Sequence, residues 1–182
     1  MSELRIYPET GGAPTQVHHD VADIQRTLGA LGVDFERWQA DRVLPEDATS
    51  DDVIAAYRGD VERLMADHGF GSVDVLRMTP EHPDREALRA KFLDEHTHRE
   101  HEVRFFVEGR GLFYLHVADQ VYSVLCEQGD LISVPHGTTH WFDMGPRPHF
   151  TAIRLFTNPE GWVAHFTGSD IATRFPRFET AT

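Results

Sequence analysis

Apolar residues recur with a helical period in the first half of the chain and in short alternating runs in the second. Val17, Val21, Ile24, Leu28 and Leu31 are spaced by 4, 3, 4 and 3, which puts them on one face of a helix. Gly29 and Gly32 supply its stop. Asp34 offers a cap for a short piece through Phe35 and Trp38. Thr49, Ser50 and Asp51 then provide capping oxygens for a longer helix. Its stripe is Val53, Ile54, Tyr57, Val61, Leu64 and Met65, and His68-Gly69 closes it. Val73 to Met78 alternates as a strand does. Pro80 and Pro83 interrupt, and Asp84 to Phe92 predicts one more short helix.

After residue 95 the texture changes. Ten of the 12 phenylalanines lie at or beyond Phe92. Runs rich in aromatic and β-branched residues (VRFFVEG, GLFYLHV, VYSVLC, DLISV, THWFDM, HFTAIRLF) alternate with glycine or aspartate turns. Closely spaced strands of this kind predict an antiparallel barrel or sandwich. The tail holds Trp162, Phe166, Phe175 and Phe178 without clear period and is expected as a loop packed on the barrel. The fold class is therefore α+β, mainly β, with the helices mostly N-terminal. At 182 residues the chain reads as a single domain. Its helical part spans about residues 15–92, its barrel core about 73–160 and its tail 161–182.

Composition narrows the partners. The net charge of −13 leaves no basic face for displacing counterions, so no nucleic acid is expected, and no anionic membrane surface. No apolar run approaches a membrane span, and the N-terminus lacks a signal-peptide pattern, so a cytoplasmic protein is expected. The lone Cys126 cannot form an intrachain disulfide; it reads as a buried small hydrophobe rather than a nucleophile. The unusual feature is 12 histidines.

The segment His96-Thr97-His98-Arg99-Glu100-His101-Glu102 concentrates them. On one extended strand His96, His98, Glu102 and Arg104 share a parity and hence a face, while His101 points away. Further on, Gly129 and Pro135-His136-Gly137 bracket a short strand, and His140 opens the next, with Phe142 on its face. Set opposite one another in a barrel, the two pieces bring His96, His98, Glu102 and His140 to one point. Three imidazoles and a carboxylate suit a divalent first-row metal with open positions, such as non-haem iron, nickel or manganese. Closed structural zinc usually wants thiolates, and this chain has one cysteine, in a separate strand. The remaining histidines (His18, His19, His68, His82, His116, His136, His149 and His165) read as structural or exposed.

The two pieces resemble the paired motifs of the cupin superfamily. The first motif, G-x5-H-x-H-x3,4-E-x6-G, falls on Ala90, His96, His98, Glu102 and Gly109; the second, G-x5-P-x-G-x2-H-x3-N, falls on Gly129, Pro135, Gly137, His140 and Met144. Ala90 and Met144 depart from the pattern at positions that are not ligands. The runs HTHREHEVRFFVEGRGLFYLHV, GDLISVPHGTTHWFDMG and IRLFTNPEGWV closely resemble the acireductone dioxygenase family of methionine salvage, and the likeness covers nearly the whole chain.

That resemblance implies a cupin-type barrel and one Fe(II) or Ni(II) per chain, held by His96, His98, Glu102 and His140. It implies O2 and the enediol 1,2-dihydroxy-5-(methylthio)pent-1-en-3-one as substrates of a monomeric enzyme. The iron form would give 4-methylthio-2-oxobutanoate and formate; the nickel form would give 3-methylthiopropionate, formate and CO. Arg104 would stabilise the developing dianion, its alternative being a structural ion pair. Phe92, Phe142 and Trp162 would wall a pocket for the methylthioalkyl tail, or be ordinary core. Arg154 would be a second pocket cation or a surface residue. Glu95 would assist metal loading or be an exposed acid. His101 would support the ligand strand or be merely a satisfied polar group. A different cupin enzyme, such as a manganese decarboxylase or a flavonol-type dioxygenase, and a non-catalytic binding module are the competing readings. No G-x-S-x-G nucleophile motif is present.

Overall fold

In the computed structural model, which describes residues 1–179, the chain order is β1 (Glu3–Pro8), β2 (Gln16–His18), α1 (Val21–Gly29), β3 (Asp34–Arg37), α2 (Ser50–Ala56), α3 (Arg58–His68), β4 (Ser72–Met78) and α4 (Arg85–Leu93). It continues with β5 (His96–Thr97), β6 (Glu102–Val117), β7 (Gln120–Glu127), β8 (Asp130–Val134), β9 (Thr139–Asp143), β10 (Phe150–Phe156) and β11 (His165–Phe166), and a 3-10 turn at Ile171–Arg174 follows. All strand pairs are antiparallel.

β6 is the hinge of the architecture. Its first half, Glu102 to Gly109, lies in a sheet ordered β4-β10-β6-β8-β3. Its second half, from Arg110, lies in a sheet ordered β11-β5-β9-β6-β7-β1-β2. The strand passes from one sheet to the other at Gly109, whose φ of +68° is left-handed; a Cβ there would sit 1.9 Å from the His149 carbonyl oxygen. Between the sheets lies an apolar core that includes Phe106, Phe113, Phe142 and Phe150. A second core packs Val53, Tyr57 and Leu64 of the helices onto Val103, Phe105 and Ile153.

Three expectations for the N-terminal part are overturned. Residues 16–18 and 34–37 are strands rather than helix, and residues 3–8, for which the apolar pattern predicts no element, form another. β1 buries Leu4, Ile6 and Tyr7 against β7, and β3 buries only Phe35, so neither is long enough to show a clear period. Val17 belongs to exposed β2, and α1 begins after Asp20, whose carboxylate accepts from the Ala22 and Asp23 amides. Asp34 caps no helix. Thr49 does cap α2, in a reciprocal box with Asp52. The helix through His68 is two helices, because Tyr57 leaves helical geometry at φ −111° and ψ 25°.

The stretch from His96 to Arg104 is also not one strand. β5 ends at Thr97, and a turn intervenes before β6 begins at Glu102. Glu100 in that turn accepts from Thr157 Oγ1 and, at 2.7 Å, from Asn158 Nδ2. The tail is not wholly loop: β11 pairs with β5, and Ile171, Phe175 and Phe178 are buried. Cys126 is fully buried.

Gly109→Ala combines a forbidden φ with a backbone clash, so we expect it to cost at least about 2 kcal/mol of stability. Urea denaturation measures this; a wild-type midpoint would contradict the role given to Gly109.

Candidate metal centre

The β5–β9 pairing sets His96 directly opposite His140. His98 follows in the turn, and Gly137 N–H donates to its carbonyl at 2.9 Å, tying the two motif segments together. The ring centroids of His96 and His140 are 4.6 Å apart, and each is 5.1 Å from His98. One nitrogen from each ring lies within 4.8 Å of the others. All three rings are buried.

Each imidazole is oriented by a main-chain carbonyl. Nδ1 of His96 is 2.7 Å from Asp94 O, Nδ1 of His98 is 3.0 Å from Val163 O, and Nδ1 of His140 is 2.8 Å from Thr138 O. A carbonyl oxygen only accepts, so each Nδ1 carries the proton and each Nε2 presents a lone pair. Glu102 Oε2 lies 3.2 Å from His98 Nε2 and 3.7 Å from His140 Nε2. It is buried and has no hydrogen-bond partner. Lone pairs and a carboxylate oxygen thus crowd one buried point with no proton between them. A cation relieves that crowding, so the donor set fits a divalent metal.

The charges are set by the same surroundings. Burial drives the His140 imidazole down to about 3 and moves His96 the same way. Burial alone would raise the Glu102 carboxyl, but Arg104, His98 and His140 hold it well below the usual carboxylate range. Neutral imidazoles and an ionised carboxylate are the forms that bind metal.

Arg104, two residues on along β6, donates to Glu102 Oε1 at 2.6 Å. Its guanidinium packs against both the Phe113 and Phe142 rings, 4.8 and 4.7 Å from their centroids. Gly111 makes this possible, since a Cβ there would stand 2.3 Å from Phe142 Cζ. Arg104 Nε and Nη1 are buried and unpartnered. The cavity in front of these groups holds about 140 Å³ and is walled by apolar side chains, among them Leu76, Leu88, Phe92, Phe142, Phe156 and Trp162. α4, which carries Leu88 and Phe92, is fixed to β9 by Arg89, which grips buried Asp143 at 2.8 and 3.2 Å.

The other sequence-selected residues separate. Arg154, the register partner of Arg104 on β10, lines the cavity and is clamped by Asp74 at 2.8 and 2.7 Å. Glu95 is buried rather than exposed, and its carboxylate turns to His116 Nδ1 at 2.6 Å and Thr167 Oγ1 at 2.8 Å. His101 is half-buried and lies off the cavity, with burial lowering its pKa. The Val163 carbonyl and the His116–Glu95 pair complete the site's supports without a mark in the sequence. A main-chain acceptor leaves no side-chain signal, and His116 shows no spacing relation to Glu95.

A folded chain that keeps His140 and His96 neutral is stabilised above the ordinary histidine value of 6.5 and loses that stabilisation as pH falls toward about 3. The depressed Glu102 carboxyl works in the same sense at lower pH. We therefore expect the metal-free protein to lose stability progressively below about pH 6.5, and His140→Gln to flatten that slope. Denaturant titrations across pH check this; an unchanged slope in the variant would contradict it.

Comparison with known proteins agrees with this geometry. Residues 3–164 match the model of the ARD/ARD′ family. The chain is 58% identical over 180 residues to the acireductone dioxygenase of Hahella chejuensis, covering 98% of this chain and 97% of that one. It is 58% identical over 181 residues to that of Parvibaculum lavamentivorans, covering 99% and 98%. A solved acireductone dioxygenase from Bacillus anthracis, with a cadmium ion in its active centre, superposes with a TM-score of 0.81 at 28% identity, over 91% of this chain and 98% of its own. Fold, full-length identity and the histidine cluster converge: this chain belongs to the ARD/ARD′ family and is a dioxygenase of the cupin fold.

Proposed function

We propose that the chain cleaves 1,2-dihydroxy-5-(methylthio)pent-1-en-3-one with O2 in methionine salvage, using one Fe(II) or Ni(II) held by His96, His98, Glu102 and His140. The observation that carries this reading is the cluster of three buried imidazoles, with the unpartnered Glu102 Oε2 at 3.2 and 3.7 Å from two of them, all lining one apolar cavity. The bound metal supplies a Lewis acid and a template for the enediolate and for oxygen.

Arg104 offers Nε–H and Nη1–H to the anionic oxygens of the substrate. Both are unspent within the protein, and both are held by the two phenylalanine rings. A fixed charge in a dry site needs no reorganisation as the dianion develops. Arg104 is too basic to serve as a ready proton acceptor. Phe92, Phe142 and Trp162 receive the methylthioalkyl tail and exclude water. Arg154 borders the same cavity as a second cation, its charge balanced by Asp74. Glu95 and His101 support the ligand segments from outside the cavity. The buried thiol Cys126 suits a reducing cytoplasm.

Reconstitution with each metal tests the reading. The iron form is expected to yield 4-methylthio-2-oxobutanoate and formate, and the nickel form 3-methylthiopropionate, formate and CO. No oxygen consumption with this enediol in either form would overturn it. Arg104→Met should retain bound metal and lose turnover by about 100-fold or more. Full turnover in that variant would remove Arg104 from the reaction.

A further inference from the structure

The chain contains a single lysine, Lys91; the other 16 of its 17 basic residues are arginine. That one ammonium is not at a random surface position. Lys91 lies in the last turn of α4, is exposed, and borders the cavity. Its Nζ sits 5.8 Å from the Trp162 ring centroid, on the cation-binding face of an aromatic. Trp162 is itself 51% exposed, so the pair forms the mouth of the cavity rather than its floor.

The other cations nearby are already committed. Arg104 engages Glu102, and Arg154 is clamped by Asp74. On α4 itself Arg85 pairs with Glu86 and Arg89 with Asp143. Among the described residues, Lys91 is the cavity-lining cation that has no carboxylate within ion-pair distance. A protein of net charge −13 repels an approaching anion over most of its surface, so a free positive charge at the entrance has a disproportionate effect. An arginine there would offer a planar fork suited to bidentate capture by surface carboxylates. A lysine is a compact charge on a flexible stem, able to swing from the Trp162 face onto an incoming oxyanion.

We propose that Lys91 is the substrate-capturing residue, its ammonium resting over Trp162 at the cavity mouth and engaging the enediolate anion as it enters. The inference rests on the function proposed above. It assigns Lys91 to encounter and binding, not to the chemical step.

The test uses the metal-loaded enzyme and compares the wild type with Lys91→Met and Lys91→Arg. Lys91→Met should lower kcat/KM about fivefold to tenfold at low salt, with kcat little changed, since a single rim charge acts mainly on association. Removing the local attraction should shift the ionic-strength dependence of kcat/KM in Lys91→Met toward a rise with salt, while Lys91→Arg should keep the wild-type dependence. In addition, substrate added without oxygen should protect Lys91 from acetylation. A wild-type enzyme active on the enediol, with kcat/KM and salt dependence unchanged in Lys91→Met, would overturn the Lys91 assignment alone. A wild-type enzyme that neither binds nor turns over the enediol would overturn the functional reading and this inference with it.

Discussion

Three imidazoles give their Nδ1 protons to backbone carbonyls, and the rest of the site depends on that arrangement. The acceptors are Asp94, Thr138 and Val163, drawn from three separate segments of the chain. Each fixes a ring angle and a tautomer, and together they gather the three rings into one cluster, with His98 and His140 Nε2 at 3.2 and 3.7 Å from Glu102 Oε2. Second-layer contacts of this kind set ligand geometry as much as the ligands themselves do. The outcome is a buried cluster of acceptors that only a cation or a proton can reconcile, and burial resists the proton.

This explains why the C-terminal tail belongs to the site. Its strand β11 pairs with β5, Phe166 packs 5.8 Å from the His96 ring, and Val163 supplies the His98 acceptor. Glu95 and His116 hold the same region from behind, with Thr167 of the tail bonded to Glu95. Trp162 and Ala164, on either side of Val163, line the cavity. The segment that orients a ligand therefore also shapes the space in front of it.

Much of this was legible in the sequence because the side chains carry it. Parity along the histidine segment put His96, His98, Glu102 and Arg104 together, and all four line one cavity even though the strand is broken between Thr97 and Glu102. Thr49 marked a helix start because a capping hydroxyl has a local cause. The strands β1, β2 and β3 were not legible. Their pairing is mostly main-chain and long-range, and β3 buries one side chain only. The break at Tyr57 was hidden because Tyr57 keeps its place in the apolar stripe while its backbone leaves the helix. Glu95 could not be separated from an exposed acid, because its partners His116 and Thr167 lie far along the chain.

The proposed site has four side chains sharing one ion through His96 Nε2, His98 Nε2, His140 Nε2 and Glu102 Oε2. Diffraction from iron- or nickel-loaded crystals, recorded at the metal's absorption edge, tests it most directly. One anomalous peak is expected within bonding distance of all four atoms. A peak elsewhere, or one bound through any Nδ1 or without Glu102, would contradict it.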